Sequence, residues 1–118
     1  MAKKYSDGLK KIEFLELPKE ESYAKNFFWM YAPRVKRKSK ITRDEFGNRL
    51  KIMGVDSRTY FTPLHKQTVL NKFNYKNEDY PISSDLSERG FYLPSGLAIT
   101  EQQINKVISA VKTIAKNI

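Results

Sequence analysis

The chain has 118 residues, 40% hydrophobic and 13% aromatic, which suits one domain with its own core and excludes a disordered segment. It has no cysteine and one histidine, so disulfides, thiolate sites and a histidine metal cluster are excluded. The net charge of +9, from 22 Lys and Arg against 13 Asp and Glu, draws phosphate-bearing partners over long range without naming one.

In chain order, Lys3 to Glu16 is polar and basic with Leu9, Ile12 and Leu15 at helical spacing, interrupted by Gly8, and reads as the tail of a helix begun upstream. Pro18 ends it, and Lys19 to Asn26 reads as a linker. Phe27-Phe28-Trp29-Met30-Tyr31-Ala32 is a continuous apolar run that predicts a central strand covered on both faces. Arg34 to Lys40 places five cations in seven residues and predicts a loop. Thr42-Arg43-Asp44-Glu45 has the form of a reciprocal capping box, Phe46, Leu50 and Met53 give an apolar stripe, and Gly54 stops the helix as a left-handed cap.

Val55 to Phe61 alternates as a strand does, with Val55, Ser57, Thr59 and Phe61 on one face and Arg58 and Tyr60 on the other. Pro63 breaks that strand, and Lys66 to Tyr80 holds a short helical turn at most. Pro81 to Arg89 predicts a short helix closed by Gly90, Phe91 to Leu93 a third strand, and Pro94 to Ile99 a turn. Thr100-Glu101-Gln102-Gln103 is a second capping box. Behind it Ile104, Val107, Ile108, Val111, Ile114 and Ile118 make one apolar stripe. The fold expected is α+β: a small antiparallel or mixed sheet of about three strands with helices on one face.

No apolar run approaches the about 20 residues that span a bilayer, and the N-terminus lacks the apolar core of a signal peptide, so a cytoplasmic location is expected. Nothing in the chain supplies a nucleophile with a base or a glycine-rich phosphate loop. Pro94 removes a backbone donor where Gly90 to Gly96 would need several. The densest chemistry lies in Asp56-Ser57-Arg58-Thr59-Tyr60-Phe61-Thr62-Pro63-Leu64-His65, where a proline-turned loop gathers an arginine, a tyrosine and the one histidine.

Gly-Val, Ser-Arg-Thr-Tyr-Phe, Pro-Leu-His, Tyr-Pro, Gly-Phe-Tyr-Leu-Pro-Ser-Gly-Leu and Thr-Glu-Gln-Gln-Ile follow one another in the order found in another group of proteins. From about Tyr5 onward the chain resembles the C-terminal part of the DegT/StrS-type pyridoxal-phosphate sugar aminotransferases, most of all their GDP-perosamine synthase branch. The resemblance implies the small C-terminal domain of a fold-type-I aminotransferase, with 1–26 a truncated connecting helix and linker and 27–118 the domain. It implies a missing N-terminal domain that carries the Schiff-base lysine and the cofactor, a sugar-nucleotide substrate, and a homodimer in the full-length enzyme. Such a domain alone is expected to be inactive and to hold no cofactor and no catalytic residue. His65, Arg58 and Tyr60 are then the expected substrate-binding residues: a donor and acceptor, a planar fork of donors, and a hydroxyl with a flat face.

Each has a plainer reading. His65 beside a proline also suits a turn cap, Arg58 a pair with Asp56 or Glu45, and Tyr60 a core or interface position. The runner-up function is a basic module that binds nucleic acid or another polyanion through Arg34 to Arg43. The dense aromatic run lacks the spacing of a ribonucleoprotein motif, so neither nucleic acid nor a membrane is expected as a partner.

Overall fold

The computed structural model describes residues 1–118. Four α-helices, α1 (Ala2–Leu9), α2 (Arg43–Ile52), α3 (Pro81–Arg89) and α4 (Glu101–Ala115), accompany four two-residue strands, β1 (Leu15–Glu16), β2 (Arg34–Val35), β3 (Arg58–Thr59) and β4 (Phe91–Tyr92). β1 pairs antiparallel with β2, and β3 with β4; single bridges Arg34–Gly90 and Tyr31–Leu93 join the two ladders in the order β1-β2-β4-β3. The class is the expected α+β, but the sheet is two short ladders stitched together.

The stitching explains why Phe27–Ala32 is not the central strand its composition predicts. Pro33 has no N–H to give to the seam, although its carbonyl accepts from Phe91 N at 3.1 Å. The Tyr31 N–H donates instead to Ser95 Oγ (2.9 Å), which itself donates to the Leu93 carbonyl (2.8 Å), so a serine hydroxyl stands where a ladder bond would run. Upstream, Asn26 Oδ1 accepts from Phe28 N at 2.8 Å and Phe28 sits at φ 47°, which turns the chain out of extension. Tyr31 is buried while Phe27 and Trp29 are 87% and 71% exposed.

α4 is the spine of the core. Its capping box is complete: Thr100 Oγ1 accepts from Gln103 N at 3.2 Å, and Thr100 N donates to Gln103 Oε1 at 2.8 Å. Ile104, Val107, Ile108, Val111 and Ile114 are all buried, and α1 and α2 pack against them. Gly8 does not break α1; a Cβ there would lie 2.6 Å from Ile108 Cδ1, so the glycine lets α1 approach α4. Tyr5, Leu9 and Leu15 thereby join the same core as Phe46, Leu50, Val55, Phe91 and Leu93.

The Thr42 box is only half made. Thr42 Oγ1 accepts from Glu45 N (3.2 Å), but the Glu45 carboxylate turns to Arg49, one helical turn on, at 2.6 Å. Gly54, at φ +70°, ends α2 as expected. Gly90 closes α3 in extended geometry, so its role is spatial: a Cβ would meet the Tyr60 ring at 2.3 Å. Arg34 and Val35, expected in a loop, form β2 because Val35 is buried opposite Leu15. Of the alternating Val55–Phe61 face only Val55 is buried, so regular pairing there is confined to β3 and the adjoining Tyr60 N–H to Gly90 O bond.

Candidate functional site

The stretch from β3 to α3 carries the three residues singled out in the sequence. β3 pairs Arg58 with Tyr92 and sets Tyr60 two residues on, on the same face. The Tyr60 ring stacks on Tyr92 with centroids 4.9 Å apart. Its hydroxyl donates to the Ala32 carbonyl at 2.6 Å. Burial pushes the phenol up to about 12 against the opposing pull of the Arg34 cation, so the hydroxyl stays protonated and committed to that carbonyl.

Arg58 is exposed and forms neither anticipated pair: Glu45 is taken by Arg49, and Asp56 accepts from Ser57 N. Arg58 lines a cleft of about 310 Å³ together with Arg43, Asn48, Lys51, Asp56 and Thr59. Tyr60 lines a different one, with Glu16, Pro18, Ala32, Arg34 and Leu86. The two share a strand face without sharing a cleft.

Beyond Pro63 the chain makes three 3-10 turns, Leu64–Lys66, Thr68–Phe73 and Asn77–Asp79. None contains a buried residue. His65, in the first, is half-buried; its Nε2 is 3.1 Å from Ser84 Oγ, and its ring stacks on Tyr80 at 4.7 Å, 19° from parallel. Tyr80 meets Tyr75 edge-on at 5.9 Å, and Tyr75 stacks on Phe73 at 5.7 Å. His65 therefore caps no turn: its Nε2 engages Ser84 on α3, and the Leu64–Lys66 turn has no side-chain cap. Tyr80 and Ser84 were legible only as a Tyr-Pro pair and a helix start; the ring series linking Phe73 to His65 depends on turns that have no sequence period. The exposed Trp29 and Phe27 were misassigned to the core because composition does not register the turn at Phe28.

An ion cluster behind this surface escaped sequence reading. Arg89 grips Asp85 through Nε and Nη2 (2.7 and 2.5 Å), donates through Nη1 to the Val35 carbonyl (2.7 Å) and reaches Glu16, which also pairs with Arg34; Arg37 completes the cluster on Asp85. The Arg89 hydrogen bond holds the Asp85 carboxyl below its usual range, against a smaller opposing effect of burial. Asp85 and Arg89 stand four apart on α3, the one signal that announced them. This cluster also consumes Arg34 and Arg37, which weakens the basic loop as a polyanion-binding strip.

Pyridoxal phosphate needs a lysine for its Schiff base and a carboxylate for its ring nitrogen in a sheltered pocket. The buried set here is apolar except for Ser84 and holds no lysine, aspartate or glutamate. These residues do not fit the cofactor by themselves. No helix is long and apolar enough to cross a membrane.

Residues 1–112 match the model of the DegT/DnrJ/EryC1/StrS aminotransferase family, and the chain belongs to that family. It is similar to GDP-perosamine synthase of Caulobacter vibrioides, 29% identical over 91 residues, covering 76% of this chain and 24% of that protein. Among solved structures it is similar to DesV of S. venezuelae in complex with a ketimine intermediate, with a TM-score of 0.88 at 23% identity over 99% of this chain and 30% of that one. It is also similar to E. coli GDP-4-keto-6-deoxy-D-mannose-3-dehydratase with bound hydrated PLP, with a TM-score of 0.76 at 18% identity over 93% of this chain and 28% of that one. The chain spans 24–31% of the length of the curated relatives it matches.

Proposed function

We propose that the chain is the small C-terminal domain of a pyridoxal-phosphate-dependent sugar-nucleotide aminotransferase, with 1–26 as connecting helix and linker and 27–118 as the body. The observation that carries this reading is the family match over residues 1–112 in a chain about a third as long as its relatives. In this reading the cofactor's lysine and carboxylate come from an N-terminal domain, and the intact enzyme works in the cytoplasm as a homodimer. The likeness to GDP-perosamine synthase supports glutamate as amino donor and a GDP-linked 4-keto-6-deoxy sugar as acceptor. That would place the enzyme in the biosynthesis of perosamine-containing O-antigen.

The chain's own residues bind and shield. Arg58, exposed and unpaired, offers its fork to a phosphate. Tyr60 offers its ring face, since its hydroxyl is taken by Ala32. His65, held on Ser84 and Tyr80, leaves Nδ1 for a sugar hydroxyl. The exposed 3-10 segment closes over the cleft and excludes water. The amino transfer itself is the cofactor's chemistry, and no proton is assigned to these side chains.

Reassembly tests the reading. The part of Caulobacter GDP-perosamine synthase upstream of its similarity to this chain is mixed with this chain, PLP, glutamate and GDP-4-keto-6-deoxymannose. Amino transfer is expected only with both pieces present. His65→Ala should lower kcat/KM by roughly 10- to 100-fold, the effect of losing one hydrogen bond to substrate. Amino transfer by this chain alone, or a borohydride-trapped lysine–PLP adduct on it, would overturn the proposal.

A further inference from the structure

A second cleft, of about 490 Å³, lies between the turn after α1, the turn after β2 and the end of α4. It is lined by Lys11, Lys36, Lys38 and Lys40 together with Ile12, Phe14, Ala115 and Ile118. None of its residues belongs to the 56–65 stretch.

The structure divides the basic run by residue type. Its arginines are spent within the fold: Arg34 on Glu16, Arg37 on Asp85, and Arg43 on Asp44 and the Ser87 carbonyl. Lys36, Lys38 and Lys40 take part in none of the chain's ion pairs, and Lys11, distant in sequence, faces the same cleft equally unpaired. All four are exposed. The backbone holds the two lysine-bearing turns together: Lys36 N donates to the Phe14 carbonyl at 2.8 Å, Ser39 N to the Lys36 carbonyl at 3.0 Å, and Ile41 N to Ser39 Oγ at 3.1 Å. The one acidic side chain in the lining is Glu13, which leaves it net positive.

We infer that this cleft binds an oligophosphate ester: two or more linked phosphates among the lysines, with a compact planar or apolar body against Phe14, Ile12 and Ile118. Ammonium groups act as point charges suited to several phosphate oxygens without a fixed bidentate geometry. Concavity and volume fall in the range of small-ligand sites, which favours a discrete molecule over the flat track of a nucleic-acid polymer. The inference stands apart from the aminotransferase reading and survives its failure.

Calorimetry on the full chain at low salt, with tripolyphosphate, GDP and guanosine as probes, tests it. Tripolyphosphate and GDP should bind and guanosine should not. The triple change Lys36→Gln, Lys38→Gln and Lys40→Gln should weaken both by roughly fivefold per lysine, the effect of one contact charge in water. Ile118→Ser should weaken GDP and spare tripolyphosphate, which separates body from phosphates. Lys25→Gln and Lys112→Gln, exposed lysines outside the cleft, should change neither. Circular dichroism confirms that each variant is folded. Equal binding by parent and triple variant, an equal loss of binding in Lys25→Gln or Lys112→Gln, or binding of heparin with none of tripolyphosphate would each overturn the inference.

Discussion

The face built on α4 and the segment from Phe61 to Ile82 are made of similar residues and have opposite fates. On the first, Phe46 meets Phe91 and Phe14 with centroids 5.1 and 5.3 Å apart, inside a closed core. On the second, Phe73, Tyr75 and Tyr80 stack mostly on one another and remain 40–54% exposed. The difference lies in what stands behind them. α4 offers a continuous apolar stripe, whereas the 3-10 turns offer a lone half-buried histidine tied to Ser84. Aromatic content alone therefore does not separate core from working surface; a partner element at the right spacing does.

That comparison breaks most visibly under a matched pair of truncations. Phe46→Ala should cost about 3–5 kcal/mol in urea unfolding. Phe73→Ala should cost less than about 0.5 kcal/mol, the range of surface substitutions. Equal losses would erase the distinction between the two regions.

The ion cluster joins the regions, since α3 follows the 3-10 turns and Arg89 ties α3 to β2. Arg89→Met leaves Asp85 half-paired and should destabilise by about 3 kcal/mol at neutral pH. Because the folded Asp85 carboxyl titrates lower than in the unfolded chain, its stabilisation is present above the ordinary value of about 3.9 and is lost as pH falls through the folded one. Unfolding as a function of pH should therefore show an acid loss in the parent that flattens in Arg89→Met.

A smaller effect attends Tyr60→Phe. Removing the hydroxyl leaves the Ala32 carbonyl without its donor and should cost about 1 kcal/mol. A phenol raised to about 12 stabilises the fold below the unfolded value of about 10, and that contribution disappears as pH rises through about 12. Tyr60→Phe should thus soften the alkaline transition, with Tyr5, also pushed up to about 12 chiefly by burial, supplying what remains.

Sequence alone made the helices legible because their signals are local. The Thr100 box, the α4 stripe, Pro81 at the head of α3 and Gly54 after α2 each depend on neighbours within one turn. The sheet was not legible in detail. Its seam depends on Pro33 and on Ser95, 64 residues beyond the Tyr31 amide it accepts from. The candidate site was legible as a list of residues, Arg58, Tyr60 and His65, but not as an arrangement. Tyr60's hydroxyl is engaged by a carbonyl 28 residues upstream, and His65 by a serine 19 residues downstream. Of the glycines that punctuate helices in the sequence, Gly8 makes room for Ile108 without breaking α1, and Gly90 both closes α3 and makes room for Tyr60.

In the proposed reading the Phe61–Ile82 segment is a surface completed by a cofactor-bearing domain, while the α4 core stands alone. Amide hydrogen exchange of the chain, free and mixed with the upstream part of Caulobacter GDP-perosamine synthase, measures this directly. Slow exchange along α4 is expected in both samples, with protection of residues 61–82 gained only in the mixture. Residues 61–82 as protected as α4 in the free chain, or protection gained only outside them on mixing, would contradict it.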